Sequence, residues 1–336
     1  MQHLVVLHAR GGRDIGIGHL SRTATLATAL QQTGKFDRVL LVWQTTAELA
    51  RHFLPEHCGL KLATTDDDAL AQLQESVCLA HQLTLVTDLL HLGEQDIARF
   101  RNLGYQSIVH LNDSGPGRWC ADTVVDGDAF KSAADIPDGF PGTALIGGRF
   151  RMLRDTVTSL RPDKPWQKND VQRILVTFGG ADPHDLTHQF LAELAATAES
   201  LPFSLLAVIG PAFSQSHQQR LRELAATRAD ISVETTTDLG SLILSHDLVV
   251  TLGGITGYEV MCLGRPCAAI HCPETAWYSK QLAATELLFD FTCVSTAAQQ
   301  LATLTANIRT LQATAERAWK LIDGHGAQRV VESILS

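Results

Sequence analysis

The sequence predicts an α/β protein built from two doubly wound domains, each a parallel sheet covered by helices on both faces. Three observations lead to this prediction. Short apolar runs alternate with segments of helical spacing along most of the chain, the polar segment 161–170 with its two prolines interrupts the alternation, and the same pattern restarts after it. A polar, proline-containing stretch is typical of a linker. We therefore expect one domain over residues 1–160 and a second over residues 168–316.

In the first half, a strand over residues 3–9 precedes a helix over residues 19–32, and Gly34 marks the end of that helix. The other predicted elements are strands at 39–43, 83–87 (followed by Asp88), 107–111, 124–125 and 144–146, and a helix at 94–103. His3, His8, His81 and His110 lie in or beside these apolar strands, so we expect them to be core or edge residues.

In the second half, the same spacing predicts strands at 173–178, 204–210, 231–234, 248–252 and 267–271, helices at 186–196, 216–226, 239–245 and 257–263, and a largely helical tail from 297 to 336. The two Rossmann-like domains are expected to face each other across a cleft, because ligands of such folds bind outside the carboxyl ends of the strands.

Composition restricts the partners. Apolar residues make up 45% and charged residues 19% of the 336 residues, and the formal net charge is −9 with no dense run of Lys and Arg. This acidity argues against nucleic acid or an anionic membrane as the main partner. We expect a small-molecule partner instead, with any phosphate group held by backbone N–H groups and helix ends.

The seven cysteines are scattered and contain no C-x-x-C pair. They therefore predict neither a disulfide framework nor a zinc ribbon, and buried reduced thiols are expected. The sequence shows no basic leader segment before its first strand, and no apolar run reaches about 18 residues. These features predict a cytoplasmic protein without an integral membrane segment.

The first loop, residues 10–22, carries the clearest chemical signal. Gly16 and Gly18 form a G-x-G element between a strand and a helix, but Ser21 stands where a dinucleotide fingerprint has its third glycine. His19 lies in the first turn of the helix, where the helix dipole disfavours the imidazolium, so we expect a neutral general base. Asp14 is the candidate to fix its tautomer. A purely structural role for His19 remains the alternative.

Two further loops carry paired glycines. Gly179 and Gly180 follow a strand and predict a close approach of backbone to a charged group, whereas Asp182 or Asp185 nearby is equally well explained as a helix cap.

The third loop continues from Gly253 and Gly254 into a helix. The N–H groups of Gly254, Ile255 and Thr256 are expected to bind a diphosphate, because they lie at the positive end of that helix. Glu259, one turn further on, can accept hydrogen bonds from both hydroxyls of a ribose.

Six segments in order along the chain resemble those of one family. They are Ile15–Arg22 (IGIGHLSR), Asn112–Asp113 with Cys120–Asp122, Leu145–Arg154, Ile174–Asp182, the set Gly253, Gly254, Glu259, Gly264 and Pro266, and Asp323–Ala327. This series resembles the pseudaminic-acid pathway UDP-sugar hydrolases and the related spore-coat polysaccharide proteins, and its fifth member is shared with the lipid II N-acetylglucosaminyltransferase. Two segments depart from the family's pattern. Residues 10–14 (RGGRD) stand in a rearranged form where the family usually has R-x-D-x-S before its glycines. Of the family's E-N-Q segment, only the Gln is kept, as Gln281.

The resemblance implies the glycosyltransferase-B fold, with the last helix, about 317–336, crossing back onto the first domain. It implies hydrolysis of a UDP-linked deoxy-acetamido sugar at the anomeric carbon, with inversion and release of UDP, in nonulosonic-acid or surface-polysaccharide biosynthesis. His19 would then activate water, Gly254–Thr256 would bind the diphosphate, and Glu259 the ribose. Neither a metal nor a cofactor is expected, because helix ends would stabilise the leaving group.

Three alternatives stay open. In an inverting glycosyltransferase, His19 would deprotonate an acceptor hydroxyl instead of water. A non-catalytic nucleotide-sugar binding protein would use the same glycine loops without the chemistry. An NAD-linked dehydrogenase is disfavoured by the missing third glycine and by the lack of an acidic residue clearly placed after the second strand.

Overall fold

In the computed structural model, residues 2–12, 15–111, 115–180, 182–197, 200–236, 238–272 and 276–336 are described. The chain forms two compact units. The first comprises Met1–Asp155 and Gly324–Ser336, and the second comprises Thr156–Asp323. The first unit therefore ends before the predicted residue 160, and of the predicted returning helix at 317–336 only the part from Gly324 onward belongs to it.

The first unit contains seven parallel strands within the described residues. They are β1 (His3–Arg10), β2 (Arg38–Gln44), β3 (Gly59–Ala63), β4 (Gln82–Asp88), β5 (Ser107–Leu111), β6 (Thr123–Asp126) and β7 (Thr143–Ile146). Their order in the sheet is β3-β2-β1-β4-β5-β6-β7. The helices are α1 (Gly18–Gln32), α2 (Ala47–Phe53), α3 (Asp66–Val77), α4 (Glu94–Leu103) and α13 (Gly326–Leu335), with 3-10 helices at Pro116–Cys120, Ala133–Asp135 and Gly148–Phe150.

Both faces of this sheet are buried, as the unbroken apolar run of β1 predicts. Alternate side chains of β1 point to opposite faces. Val5 and Leu7 lie in the core shared with α1 and α13, whereas Leu4 and Val6 lie in the core shared with α3 and α4. The chain's last helix thus covers the same face as α1, since Val330 is fully buried in that core.

The second unit contains six parallel strands within its described residues. They are β8 (Arg173–Val176), β9 (Ser204–Ile209), β10 (Ile231–Thr235), β11 (Leu248–Thr251), β12 (Cys267–Ile270) and β13 (Phe289–Phe291). Their order is β10-β9-β8-β11-β12-β13. The helices are α6 (Leu186–Thr197), α7 (Gln215–Ala226), α8 (Leu239–Ser245), α9 (Ile255–Cys262), α10 (Ala276–Ala284), α11 (Val294–Thr305) and α12 (Ile308–Leu321), and α5 (Asp155–Thr158) lies at the boundary of the units.

The polar segment 161–170 is an integral part of the second unit rather than a free linker. The Arg161 guanidinium donates hydrogen bonds to the carbonyl oxygens of Cys262, Trp319 and Ile322. It also lies over the Trp319 ring, 4.1 Å from its centroid. Trp166 is 2% exposed and donates from its indole to Asp247. These contacts bind the segment to the carboxyl ends of two helices, which composition alone did not indicate.

Two sequence predictions concern the state of the cysteines and the presence of membrane-spanning helices. All seven cysteines are free, as expected, but Cys78, Cys120 and Cys293 are exposed, so the expectation of buried thiols is wrong for these three. Among the helices within the described ranges, none has the length and hydropathy needed to cross a membrane.

Candidate functional site

The order of the first sheet brings together two sequence features that lie far apart in the chain. From β1 the chain proceeds to β2 on one side, whereas β4 adjoins β1 on the other, so the order reverses between β1 and β4. The register pairs Ala9 with Asp88 at the carboxyl ends of these strands. Such a reversal opens a crevice where ligands of doubly wound sheets bind. His19, at the start of α1, and Asp88 both lie there.

His19, Asp88 and Arg22 form one hydrogen-bonded cluster in this crevice. His19 Nδ1 lies 2.6 Å from Asp88 Oδ1. Arg22 binds the same carboxylate in a bidentate manner, with Nε 2.7 Å from Oδ2 and Nη2 2.6 Å from Oδ1. Nδ1 also lies 3.1 Å from Arg22 Nη2, which only donates, but its contact with the carboxylate, which only accepts, is shorter by 0.5 Å. The shorter contact assigns the proton to Nδ1 and leaves Nε2 as an acceptor. This is the tautomer that a general base requires.

Asp88 is an ionised and fully buried carboxylate. Burial by itself raises its pKa, but the Arg22 charge and the hydrogen bonds from His19 and Arg22 outweigh burial and lower the pKa below its ordinary value. The side chain of Asp88 is 0% exposed, whereas that of His19 is 12% exposed. The cluster therefore holds a buried negative charge behind a histidine that reaches the surface of the crevice.

The glycines of the first loop are needed for its backbone conformation. A Cβ on Gly11 would lie 2.5 Å from Cγ of Leu20, so only glycine lets this strand end pass over α1. Gly12 and Gly16 form an antiparallel bridge, and Gly16 has a positive φ of 84°. Gly18 is the first residue of α1. Asp14, the predicted partner of His19, lies outside the described residues.

A cavity of about 450 Å³ opens at this crevice. His19 and Asp88 line it together with groups from α3 and α4. Its volume falls within the range of small-molecule sites, roughly 300–1,000 Å³. His8 of β1, predicted to be a core or edge residue, also lines it. The first unit thus offers a pocket of ligand size directly beside the histidine.

The second sheet has a corresponding reversal between β8 and β11, and two of the predicted glycine loops follow these strands. Gly253 has a φ of 77°, and the Ser279 hydroxyl donates to the carbonyl of Leu252 beside it. Gly254 is the N-cap of α9 and has no side-chain cap. A Cβ at Gly254 would meet nothing within 4 Å. The first turn of α9, which includes Ile255 and Thr256, therefore begins beside open space.

Glu259 and Gln281, both predicted to contact the nucleotide, have different environments. Glu259 lies in α9 and is 2% exposed, unlike an ordinary surface glutamate. Gln281 is exposed on α10. Burial of a carboxylate one turn from an uncapped helix start favours a specific role for Glu259.

The loop after β8 resolves one question that the sequence left open. Asp182 accepts hydrogen bonds from the backbone N–H of Leu186 and Thr187 and from the Thr187 hydroxyl, at 2.6–2.9 Å, so it caps α6. Gly179 has a φ of 85° with open space at its Cβ position.

Gly180 is partly exposed, and its carbonyl oxygen would lie 2.4 Å from a Cβ on Gly210. This close approach explains the glycine at position 210, whereas the positive φ of Gly179 gives the turn its own structural reason beside an open face. Within the described ranges, no group of three or more His, Cys, Asp or Glu side chains has an arrangement that would bind a metal ion.

Sequence reasoning missed two members of the histidine cluster. Asp88 was visible as the polar residue that ends the predicted strand 83–87, and Arg22 as the last residue of the IGIGHLSR segment. What the sequence lacked was the strand order, which alone makes β4 the neighbour of β1.

Comparison with known proteins gives distant relatives and a clear fold. No family model matches the chain. The chain is 24% identical over 274 residues to the spore coat polysaccharide biosynthesis protein SpsG of Bacillus subtilis, covering 79% of this chain and 76% of that protein. It is 25% identical over 275 residues to an uncharacterised protein of Methanocaldococcus jannaschii, of which it spans only 54%.

Among solved structures, Acinetobacter baumannii MurG has a TM-score of 0.67 at 16% identity, covering 100% of this chain and 99% of that one. A co-structure of S. aureus MnaA with UDP has a TM-score of 0.66 at 13% identity, covering 99% and 96%. At these identities the likeness concerns the fold. The two parallel-sheet domains are those of the glycosyltransferase-B fold, as the motifs predicted.

Proposed function

We propose that this protein is an enzyme that acts on a nucleotide sugar, and that it hydrolyses a UDP-linked deoxy-acetamido sugar at the anomeric carbon with release of UDP. The observation that carries the proposal is the His19–Asp88–Arg22 cluster beside a cavity of about 450 Å³ at the reversal point of the first sheet. A buried carboxylate that fixes the tautomer of a histidine is the arrangement of a general base.

In the proposed mechanism, His19 Nε2 accepts a proton from water while Nδ1–H stays bonded to Asp88. The water oxygen forms a bond to the anomeric carbon, and the bond from that carbon to the diphosphate oxygen breaks, its electron pair leaving with UDP. Attack opposite the leaving group inverts the anomeric centre. Asp88 stabilises the imidazolium that forms, and Arg22 holds Asp88 in place.

The second unit supplies the groups for the leaving nucleotide. We assign the diphosphate to the N–H groups of Gly254, Ile255 and Thr256, where the uncapped start of α9 offers donors and the positive end of the helix dipole. Glu259 accepts the ribose hydroxyls. A charge-stabilising helix end of this kind replaces a metal ion for the departing diphosphate. Gly179, Gly180 and Gln281 are assigned to the periphery of the same ligand.

Two comparisons support a nucleotide-sugar ligand in polysaccharide biosynthesis. The relative from Bacillus subtilis is named for spore coat polysaccharide biosynthesis. Structures of the same fold include one that contains UDP and a UDP-N-acetylglucosamine 2-epimerase that contains UDP-N-acetylglucosamine.

A glycosyltransferase is the second candidate, favoured by the likeness to MurG and to the glycosyltransferase SnogD. In that reaction, His19 takes its proton from an acceptor hydroxyl, and all other roles stay the same. The two reactions differ in the nucleophile, which is water in one and an acceptor hydroxyl in the other, and the cluster would activate either in the same way.

UDP release from purified protein separates the two reactions. Incubation with UDP-sugars and no acceptor should release UDP if water is the nucleophile, and His19→Ala should abolish the release. Release that requires an added acceptor identifies the transferase. Turnover that is unchanged in His19→Ala would refute both mechanisms, and binding without any turnover would leave a nucleotide-sugar binding protein.

A further inference from the structure

The cavity beside His19 is also lined by a buried histidine that the proposed reaction does not use. His8 lies on β1, 5% exposed, on the same sheet face as Leu4 and Val6. It lines the cavity, and its ring packs edge-on against Phe100 of α4 with the centroids 6.4 Å apart. His8 is therefore a buried, packed side chain that lines a ligand-sized pocket.

Neither ring nitrogen of His8 makes a hydrogen bond of good geometry among the described residues, although the Gln44 side chain lies close enough to raise its pKa against the larger effect of burial. The nearby Gln44 carboxamide is already engaged, since its oxygen accepts from Arg10 and its nitrogen donates to Asp66. Buried polar groups in proteins are almost always paired, and an unpaired one is costly. A ligand in the cavity could therefore supply the hydrogen bond that the His8 ring lacks.

The chemistry of the pocket restricts that ligand group. Burial is the main cause that lowers the pKa of His8 to about 4, so the ring is neutral and offers one N–H donor and one nitrogen acceptor. Leucine side chains also line the cavity, Leu70 and Leu73 from α3 and Leu92 before α4, beside charged groups such as Arg10 and Arg99. A neutral donor and acceptor beside leucine side chains match an amide with a short alkyl chain better than a hydroxyl or a charged group.

We propose that this cavity binds the N-acyl substituent of the sugar, and that His8 determines specificity through a hydrogen bond to its amide. The alkyl part of the acyl group packs against the leucines, and the amide pairs with the His8 ring. This inference rests on the proposed function for the identity of the sugar, but the pocket itself lies wholly within the first unit.

Calorimetry with UDP-N-acetylglucosamine, UDP-glucose and UDP tests the proposal. The two sugars differ only in an acetamido against a hydroxyl group. The wild-type protein should bind the acetamido sugar roughly five- to tenfold more tightly, the effect of one neutral hydrogen bond. In His8→Leu, this ratio should fall to about one while the Kd of UDP alone stays unchanged.

His110→Leu is the matched control. His110 is also a buried histidine of this sheet, on β5 beyond β4, but its Nδ1 lies 2.6 Å from the Thr87 hydroxyl. This variant should lose thermal stability and keep the sugar ratio. His8→Leu, in contrast, should keep or raise the Tm, because it removes a buried polar ring that makes no hydrogen bond of good geometry. Equal ratios in wild type and His8→Leu would overturn the proposal.

A second measurement separates this inference from the proposed function. Free N-acetylglucosamine and glucose probe the pocket without a nucleotide, and ¹³C-labelled histidine reports on the rings by NMR. The resonances missing from His8→Leu belong to His8, and they should shift with N-acetylglucosamine but not with glucose. Absence of that shift refutes the acyl pocket even if UDP binds. A shift without UDP binding refutes the nucleotide assignment and retains the pocket.

Discussion

Replacement of Asp88 by Asn tests the central cluster most directly. The side-chain shape stays nearly the same, but the charge that Arg22 and His19 share is lost. The carboxylate is 0% exposed and Arg22 is 10% exposed, so the guanidinium would remain buried without its counter-charge. Removing one partner of a buried pair costs about 3–5 kcal/mol. We expect the free energy of unfolding to fall by about that amount.

Asp88→Asn should also release UDP more slowly, and by more than its lower stability explains. A hydrogen bond to a charged group contributes about 1.5–3 kcal/mol, roughly 10- to 150-fold in rate. The Asn amide can also donate to His19 Nδ1 and so favour the tautomer with Nε2 protonated, which raises the loss toward roughly 10,000-fold. UDP release from the folded variant should therefore fall by about 10- to 10,000-fold.

Glu75→Gln is the control for a change of charge alone. Glu75 pairs with Lys61 at 2.8 Å but is 70% exposed. Its replacement should alter the free energy of unfolding by less than about 0.5 kcal/mol and leave UDP release unchanged. A folded Asp88→Asn protein that keeps UDP release within about threefold of wild type would refute the assignment of Asp88.

Three further predictions follow from other parts of the molecule. The pKa of His8 is about 4 against an ordinary 6.5, so the unfolded state binds the proton first, and the free energy of unfolding should decrease as the pH falls from 6.5 to 4. The His8 contribution is roughly 3 kcal/mol, and chemical denaturation of wild type and His8→Leu should differ in this pH range; identical pH profiles would contradict it. Glu259→Gln should weaken UDP binding roughly 10- to 150-fold in calorimetry, since it removes a charged acceptor for the ribose; an unchanged Kd would exclude that role. Gly254→Ala should weaken UDP binding with little loss of stability, because its Cβ meets nothing within 4 Å. Gly264→Ala is its control and should do the reverse, because φ is 66° and a Cβ would lie 2.9 Å from Cα of Pro165.

The regular strands and helices could be predicted where burial is strong. The apolar run of β1 and the helical spacing of α1 are long and strongly patterned, and the structure has both elements within a residue or two of the predicted bounds. The stretch containing α2, β3 and α3 was not predicted. There β3 is an edge strand with only Ala63 buried, and α2 has only Ala50 buried, so neither leaves a clear periodic signal.

The glycine loops could also be recognised from the sequence. Gly16, Gly179 and Gly253 all have a positive φ, which a side chain opposes, so their clustering after strands marks turns that the fold needs. The same signal could not separate a structural turn from a ligand site. In the structure, Asp182 caps a helix, whereas a Cβ at Gly254 would face open space.

The α/β class, the two domains and the loop in which His19 lies could be predicted from the sequence, because these depend on local burial patterns and on backbone conformations that few residues adopt. Only the tertiary structure decided the partners of His19. Asp88 lies 69 residues away in the chain, yet strand order places it 2.6 Å from His19 Nδ1. His8, predicted to be a core or edge residue, is buried as expected, but only the arrangement of the strands and helices shows that it also lines the cavity. Side chains from separate strands meet only when the sheet forms, since pairing of strands is a non-local choice that no local pattern encodes.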